Sequence, residues 1–195
     1  MIVAITGGIG SGKSYVCRLL EKRGIVVYDC DAAAKRLMRT SRPLQNRLSD
    51  LVGVELFPDG QFQKPLLRQF LLQSGQHARA IDDIVHPAVA EDFLSSGAQW
   101  IESAILYDSG FDERIHPDRV VCVTAPDEMR VERVMLRDSI DREKALAWIS
   151  RQLPQEVVRA KSDYEIVNDG LLLLDPQIDT VLKALNLSSS TPSMK

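Results

Sequence analysis

The sequence GGIGSGKS at residues 7–14 contains residue types that could bind the phosphate groups of a nucleotide. It fits the pattern G-x-x-x-x-G-K-[ST], in which glycines let the backbone turn its N–H groups toward phosphate oxygens. The lysine of this pattern reaches the terminal phosphates, and the hydroxyl that follows it coordinates Mg²⁺. The alternative is a glycine turn with a solvated lysine, but the flanking strand and helix signals favour a phosphate loop. The predicted nucleotide-binding positions are Gly8, Ile9, Gly10, Ser11, Gly12, Lys13, Ser14 and Tyr15, with Ser14 as the metal ligand.

Two carboxylates follow the next apolar segment, IVVY at residues 25–28. If this segment is a strand, Asp29 and Asp31 lie at its carboxyl end, where open α/β sheets bind their ligands. One of them could accept a hydrogen bond from a hydroxyl group that receives a phosphoryl group. The alternative for either residue is an N-cap of the following helix.

Three arginines recur at spacings of three and four residues, which places them along one face of a predicted helix. Guanidinium groups over the equatorial oxygens of a transferring phosphoryl group stabilise its charge. We expect this role for Arg133 and Arg137. For Arg130 we favour the alternative, a solvated helix face on which the arginine pairs with Glu128 and Glu132.

Strand and helix signals alternate along the chain, which predicts an α/β fold with a parallel sheet and helices on both faces. The predicted strands are 2–5, 25–28, 100–107, 119–124 and 164–167. The predicted helices beside them are 13–23, 127–137, 141–153 and 176–187. Residues 32–97 are predicted to form a mostly helical insertion, interrupted at Pro43, at 58–60 and at His86-Pro87. The polar ending at 188–195 is predicted to be disordered.

Composition limits the classes of function. The 195 residues suffice for one core with an inserted subdomain. The net charge is −3, so there is no basic field to hold nucleic acid. No basic leader and no bilayer-length apolar stretch is present, so we expect neither export nor a membrane partner. Three cysteines without metal-ligand spacing fit a reducing cytoplasm. We separately expect the protein to be a monomer, with a weak homo-oligomer as the alternative.

Two classes of phosphate-loop protein fit these residues, a small-molecule kinase and a nucleotide-dependent switch. A GTP-dependent switch carries an Asn-Lys-x-Asp motif for guanine, and the sequence has none. A carboxylate after the second strand, a helical insertion and a row of arginines are instead typical of a kinase that uses ATP and Mg²⁺. The residues themselves leave the acceptor open.

Five motifs together resemble the dephospho-CoA kinase family: ITGGIGSGKS, YDCDAAAKRL, IVHP, RVERVMLRD and VNDG, and the resemblance extends over residues 1–187. The resemblance implies a three-layer phosphate-loop fold of the nucleoside- and nucleotide-kinase type. It also implies the final step of coenzyme A synthesis, in which ATP phosphorylates the ribose 3′-hydroxyl of dephospho-CoA to give CoA and ADP. The alternatives are another small-molecule kinase, such as a nucleoside or nucleotide kinase, and a regulatory nucleotide-binding module.

The resemblance assigns parts of the chain to domains and roles. Residues 1–31, 98–136 and 162–187 correspond to the nucleotide-binding core, 32–97 to the acceptor-binding insertion and 137–161 to a lid. The implied site residues are catalytic Asp31, Lys13 and Arg137, ATP-binding Arg133 and Asn168, and acceptor-binding Asp31, Lys64 and His86. For His86 the alternative is an ordinary helix start at His-Pro. Glu102 and Asp108 stand where the family has an aspartate and a glutamate, so a metal role stays open for both.

Overall fold

The computed structural model describes residues 1–186, and a five-stranded sheet forms its centre. The strands are β1 (Val3–Thr6), β2 (Val27–Asp29), β3 (Trp100–Glu102), β4 (Arg119–Thr124) and β5 (Tyr164–Val167). They lie in the order β2-β3-β1-β4-β5. β1 pairs in parallel with β3 and β4, and β4 pairs in parallel with β5. The predicted α/β fold with a parallel sheet is therefore confirmed.

Ten helices accompany the sheet within residues 1–186. They are α1 (Lys13–Glu21), α2 (Cys30–Thr40), α3 (Arg42–Val52), α4 (Lys64–Gln73), α5 (Gly75–Ser96), α6 (Asp112–Ile115), α7 (Asp127–Asp138), α8 (Arg142–Ile149), α9 (Gln155–Ala160) and α10 (Leu174–Ala184). None of them is long and apolar enough to cross a membrane.

The hydrophobic core explains why the central strands carry continuous apolar sequences. All four residues of β1 are buried, and so are five of the six residues of β4, because helices cover the sheet. The apolar side of α1 packs on these strands together with α10. The core cluster includes Val3, Ile5, Val16, Leu20, Val121, Val123, Ile166, Ile178 and Leu182. This packing fixes the carboxyl ends of β1, β4 and β5, from which the candidate site is built.

The chain divides into two compact units, Asp29–Gly97 and the remainder. In the Asp29–Gly97 unit, α2, α3 and α4 each pack against the long helix α5. α3 begins after Ser41, whose hydroxyl accepts a hydrogen bond from the Leu44 amide at 3.4 Å, and Pro43 occupies its first turn. Arg36 of α2 and Asp92 of α5 form an ion pair with an N–O distance of 2.5 Å.

Three expectations about the elements are wrong. The strand predicted at 100–107 ends at Glu102, and the chain turns after it so that Leu106 is buried by a turn rather than by sheet pairing. The second strand begins at Val27 instead of residue 25. The helix is not interrupted at His86-Pro87, because α5 continues through Pro87 and the buried residues Val85, Val89 and Phe93 form one apolar stripe on both sides of it.

Smaller differences concern helix ends. α1 ends at Glu21, two residues earlier than predicted, and α8 covers Arg142–Ile149, which is shorter than the helix predicted for 141–153. Asp141 is the N-cap of α8, as expected, and accepts a hydrogen bond from the Lys144 amide. The predicted interruptions at Pro43 and 58–60 are present. The polar ending at 188–195 lies outside the described residues.

Candidate active site

The phosphate loop, residues 7–14, connects β1 to α1, and Gly10 and Gly12 show why it is rich in glycine. Gly12 has a φ of 94°, and a Cβ there would collide with the Asn168 amide nitrogen. Gly10 has a φ of 81°, and a Cβ there would lie 2.5 Å from the Arg130 carbonyl oxygen. Both φ values belong to the left-handed region that favours glycine. The loop is therefore a narrow backbone turn pressed against two other segments of the chain.

Helix α1 begins directly at this loop without a side-chain cap. Its N-cap is Gly12, which has no side chain that could accept a hydrogen bond from the first-turn amides. Tyr15 and Val16 donate their amides to the Gly12 carbonyl, and Ser14 and Tyr15 are exposed at the start of the helix. The amino end of a helix carries a partial positive charge and attracts anions. The loop and the start of α1 are thus suited to bind phosphate.

Lys13 lies between the loop and the end of β3. Its side chain is buried, and its Nζ lies 3.4 Å from the Gly8 carbonyl oxygen and 3.8 Å from Glu102 Oε1. The strand register places Glu102 opposite Ile5 of β1, so the carboxylate arrives beside the loop through the sheet pairing. A buried ammonium group needs a compensating partner, and Glu102 supplies one.

The oxygen atoms near this lysine fit a magnesium ion. Mg²⁺ prefers oxygen ligands, keeps several waters and is held by one or two protein groups together with substrate phosphates. The Ser14 hydroxyl and the Glu102 carboxylate are such groups. Within residues 1–186 no cluster of three His, Cys, Asp or Glu side chains could hold a metal by itself. Asp108 has one carboxylate oxygen engaged, because its Oδ1 accepts the Leu153 amide at 2.6 Å.

Two arginines of α7 reach the loop. Arg133 Nη1 donates to the carbonyl oxygens of Gly10 and Ser11 at 3.2 and 3.3 Å, and its Nη2 donates to the Asn168 carbonyl at 3.1 Å. Arg130 Nε donates to the Ile9 carbonyl at 3.1 Å. The expected solvated position of Arg130 is wrong, since the residue is only 3% exposed. Its helical neighbours Val131 and Val134 are buried, and they turn this face of α7 inward.

Arg137 lies differently from the two arginines before it. Its guanidinium is 60% exposed and pairs with the carboxylate of Asp138, with Nη2–Oδ2 at 2.7 Å. The three arginines predicted for one helix face therefore do not all reach the loop. Glu128, which was expected to pair with Arg130, instead pairs with Arg142 at 2.7 Å. This hydrogen bond and charge lower the pKa of Glu128.

Asn168 follows β5 and ties the end of that strand to the loop. Its Nδ2 donates to the Ser11 carbonyl at 2.8 Å, and its own amide donates to the Thr124 carbonyl of β4. Asp169 shapes the next turn, because its Oδ1 accepts the amides of Leu171 and Leu172, both at 2.9 Å. These backbone hydrogen bonds lower the pKa of Asp169. The VNDG turn is thus held by these hydrogen bonds, and its Asn168 contacts the phosphate loop.

The candidate acceptor residues lie in the Asp29–Gly97 unit. Asp29 is the N-cap of α2, because its Oδ1 accepts the Ala32 amide at 2.9 Å. Asp31 is exposed in the first turn of α2, and Lys64 is exposed at the start of α4. His86 is mostly buried on α5, with Nε2 at 3.7 Å from Asp82 Oδ1. Burial raises the pKa of Asp82, against the opposing charge of His86.

The structure brings together the loop, Lys13, Arg133 and Asn168, which were predicted as site residues. Two contributors were not predicted as such. Arg130 could have been found from its position beside Val131 and Val134 on one helix face. Gln152 contacts Ile9 at 2.7 Å across 143 residues of sequence, and no local pattern marks it.

A family model and curated relatives identify one family, and solved structures show the same fold. The family model described as dephospho-CoA kinase matches residues 1–173. A dephospho-CoA kinase of Bacteroides fragilis (strain YCH46) is 40% identical over 187 residues, covering 90% of this chain and 88% of the relative. A crystal structure from Thermus thermophilus superimposes with a TM-score of 0.79 at 29% identity, covering 95% of this chain and 97% of that one. The dephospho-CoA kinase of Campylobacter jejuni shares the fold, with a TM-score of 0.63 at 19% identity and 96% coverage of both chains.

Proposed function

The chain belongs to the dephospho-CoA kinase family, and we propose that it transfers the γ-phosphoryl group of ATP to the ribose 3′-hydroxyl of dephospho-CoA, giving CoA and ADP. The observation that carries this proposal is the phosphate loop with Lys13 buried beside it and Arg133 and Asn168 bonded to its backbone. This loop supports the binding of a nucleoside triphosphate, and the family match supports dephospho-CoA as the acceptor.

The proposed roles on the ATP side follow from charge and position. Phosphoryl transfer depends on positioning and on neutralising charge, because the transition state spreads charge over oxygens of the moving group. The loop amides and the start of α1 hold the phosphates, and Lys13 places its ammonium group at the terminal phosphates. Arg133 orders the loop through Gly10 and Ser11, and we propose that the chain at Asn168, which is hydrogen-bonded to Ser11, passes the adenine of ATP.

We assign the metal to Ser14, with Glu102 as a further oxygen ligand, either directly or through water. Mg²⁺ at this position would neutralise phosphate charge during transfer. Ser14 supports the assignment because it follows Lys13 in the first turn of α1, and Glu102 supports it because it lies beside the same lysine. Glu102 also balances the charge of Lys13.

On the acceptor side, we propose that Asp31 orients the 3′-hydroxyl and accepts its proton. Its carboxylate is exposed, whereas Asp29 is engaged as the cap of α2, which supports Asp31 as the acceptor-binding residue of the two. Lys64 and His86 are proposed to bind dephospho-CoA, and Arg137 to act on the transferring phosphoryl group. The cytoplasmic location, the monomeric state and the lack of nucleic-acid or membrane partners stay predictions.

A steady-state assay with a panel of acceptors tests the function. Purified protein is incubated with ATP and Mg²⁺ and with dephospho-CoA, a nucleoside or a nucleoside monophosphate, and ADP release is followed by a coupled enzyme assay. Of the three acceptors, we expect only dephospho-CoA to support ADP release. Turnover with a nucleoside or nucleotide but not with dephospho-CoA would contradict the proposed acceptor. Nucleotide binding without turnover on any acceptor would favour the regulatory module.

A further inference from the structure

Ile9 is the third residue of the phosphate loop, and both its backbone N–H and its backbone carbonyl are hydrogen-bonded to side chains. Its amide donates to Gln152 Oε1 at 2.7 Å, and its carbonyl accepts from Arg130 Nε at 3.1 Å. Its side chain packs against a small cluster formed by Val131, Val134 and Ala145 of α7 and α8. Ile9 is therefore anchored at three points to the segment that follows β4.

Gln152 connects Ile9 to the turn that follows β3. Its Nε2 donates to the Ala104 carbonyl at 3.3 Å, just after β3. The next residue, Leu153, donates its amide to Asp108 Oδ1 at 2.6 Å. The short segment after α8 is thus hydrogen-bonded to the turn after β3 at two places, and the side-chain carbonyl of Gln152 accepts a hydrogen bond from the phosphate loop.

The position of Ile9 gives these contacts a consequence for binding. Ile9 lies between Gly8 and Gly10, and glycine loses more backbone freedom on ordering than any other residue. A loop with such neighbours samples many shapes unless outside contacts restrict it. The Ile9 amide is hydrogen-bonded to Gln152, so in this arrangement it holds the loop in place rather than binding phosphate.

We propose that Gln152 is a positioning residue for nucleotide binding: its amide group holds the phosphate loop in its binding shape through the Ile9 N–H. Arg130 holds the other side of the same residue through the carbonyl, with its guanidinium buried and paired to Asp127 at 2.8 Å. Gln152 belongs to the region predicted as the lid, residues 137–161, so the shape of the loop depends on that region. The inference rests on the proposed function, because it requires that the loop binds a nucleotide.

The test compares two glutamines that make the same kinds of hydrogen bond. The side chain of each accepts one backbone amide and donates to one backbone carbonyl. Gln155 accepts the Ala125 amide at 3.0 Å and donates to the Ala125 carbonyl at 3.1 Å, and like Gln152 it is part-buried. Gln152→Met and Gln155→Met both keep the length of the side chain and remove its hydrogen bonds. Binding of ADP is measured by isothermal titration calorimetry, and Tm is measured for each variant.

We expect Gln152→Met to raise the Kd for ADP by about 2–10-fold, the equivalent of one net hydrogen bond, and Gln155→Met to leave it unchanged. The KM for ATP should rise in Gln152→Met by a similar factor while kcat and the KM for the acceptor stay near wild type, as expected for lost nucleotide binding. Equal losses of Tm with no change in ADP affinity for either variant would overturn the inference. A wild-type protein that binds no ADP would instead contradict the proposed function itself.

Hydrogen exchange on the wild-type protein supplies a second test that needs no variant. In the nucleotide-free protein we expect the Ile9 amide to exchange slowly, because it is bonded to Gln152. Exchange of this amide at the rate of an unprotected backbone amide would overturn the inference, even if Gln152→Met fails to fold.

Discussion

Replacement of Gly12 by alanine tests whether the phosphate loop requires glycine at this position, where the chain lies against Asn168. The expected loss of unfolding free energy has two parts. The φ of 94° lies in the left-handed region, where a residue with a Cβ costs about 1–2 kcal/mol. The new methyl group also displaces the Asn168 amide from its 2.8 Å hydrogen bond with the Ser11 carbonyl, a net loss of about 0.5–1.5 kcal/mol. The two costs add to about 1.5–3.5 kcal/mol of unfolding free energy.

Gly24→Ala is the matched control for the backbone cost. Gly24 follows the other end of α1, has a φ of 79°, and no atom lies within 4 Å of the position of its Cβ. We therefore expect Gly24→Ala to lose only about 1–2 kcal/mol. Urea unfolding followed by circular dichroism measures both values. The additional loss in Gly12→Ala isolates the contact with Asn168.

A double-mutant cycle completes this test. In Asn168→Ala the amide that blocks the methyl group is gone, so Gly12→Ala should cost less in that background than in wild type. We expect the combined loss to fall short of the sum of the single losses by about 0.5–1.5 kcal/mol. Additive losses, or a Gly12→Ala variant that is no less stable than Gly24→Ala, would refute the reasoning. Gly12→Ala should also lose ADP affinity, whereas Gly24→Ala should keep it.

Three further predictions concern single residues. Lys13→Ala should lower kcat/KM for ATP by about 10²–10³-fold, because a preorganised charge is lost from the transferring phosphate, and an unchanged value in the steady-state assay would contradict this role. Asp31→Asn should lower kcat by about 10²–10⁴-fold while the Kd for ADP stays the same, and a kcat near wild type would show that Asp31 does not assist the hydroxyl. Burial raises the pKa of Cys122 to about 11, so its thiol should resist alkylation at pH 8 in the folded protein, as mass spectrometry of modified peptides can show. Since the unfolded thiol ionises at a lower pH, the free energy of unfolding should fall as the pH rises from about 9 toward 11, and Cys122→Ser should lessen this fall.

The phosphate loop could be predicted from the sequence because its chemistry is contiguous. The glycines, Lys13 and Ser14 lie within eight residues, and each type has a defined task in binding phosphate. The parallel sheet could be predicted for a related reason, since strands buried on both faces have unbroken apolar sequences. Local signals were sufficient for these features.

Contacts between distant segments could not be predicted in this way. Gln152 and Ile9 are 143 residues apart, and Asn168 and Ser11 are 157 residues apart, so only the folded chain shows that they bond. The burial of Arg130 does not follow from its charged neighbours in sequence, because it is set by the apolar face that Arg130 shares with Val131 and Val134. The strand at 100–107 was predicted too long, because an apolar residue such as Leu106 can be buried by a turn as well as by a sheet.

The most direct measurement is the position of the transferred phosphate. Dephospho-CoA is incubated with the protein, ATP and Mg²⁺, and the product is examined by mass spectrometry and phosphorus NMR. The proposed function predicts a product heavier by one phosphate, with a new monophosphate ester at the ribose 3′-hydroxyl that matches authentic CoA. Unchanged dephospho-CoA in the presence of bound ATP, or a phosphate attached at another position, would contradict it.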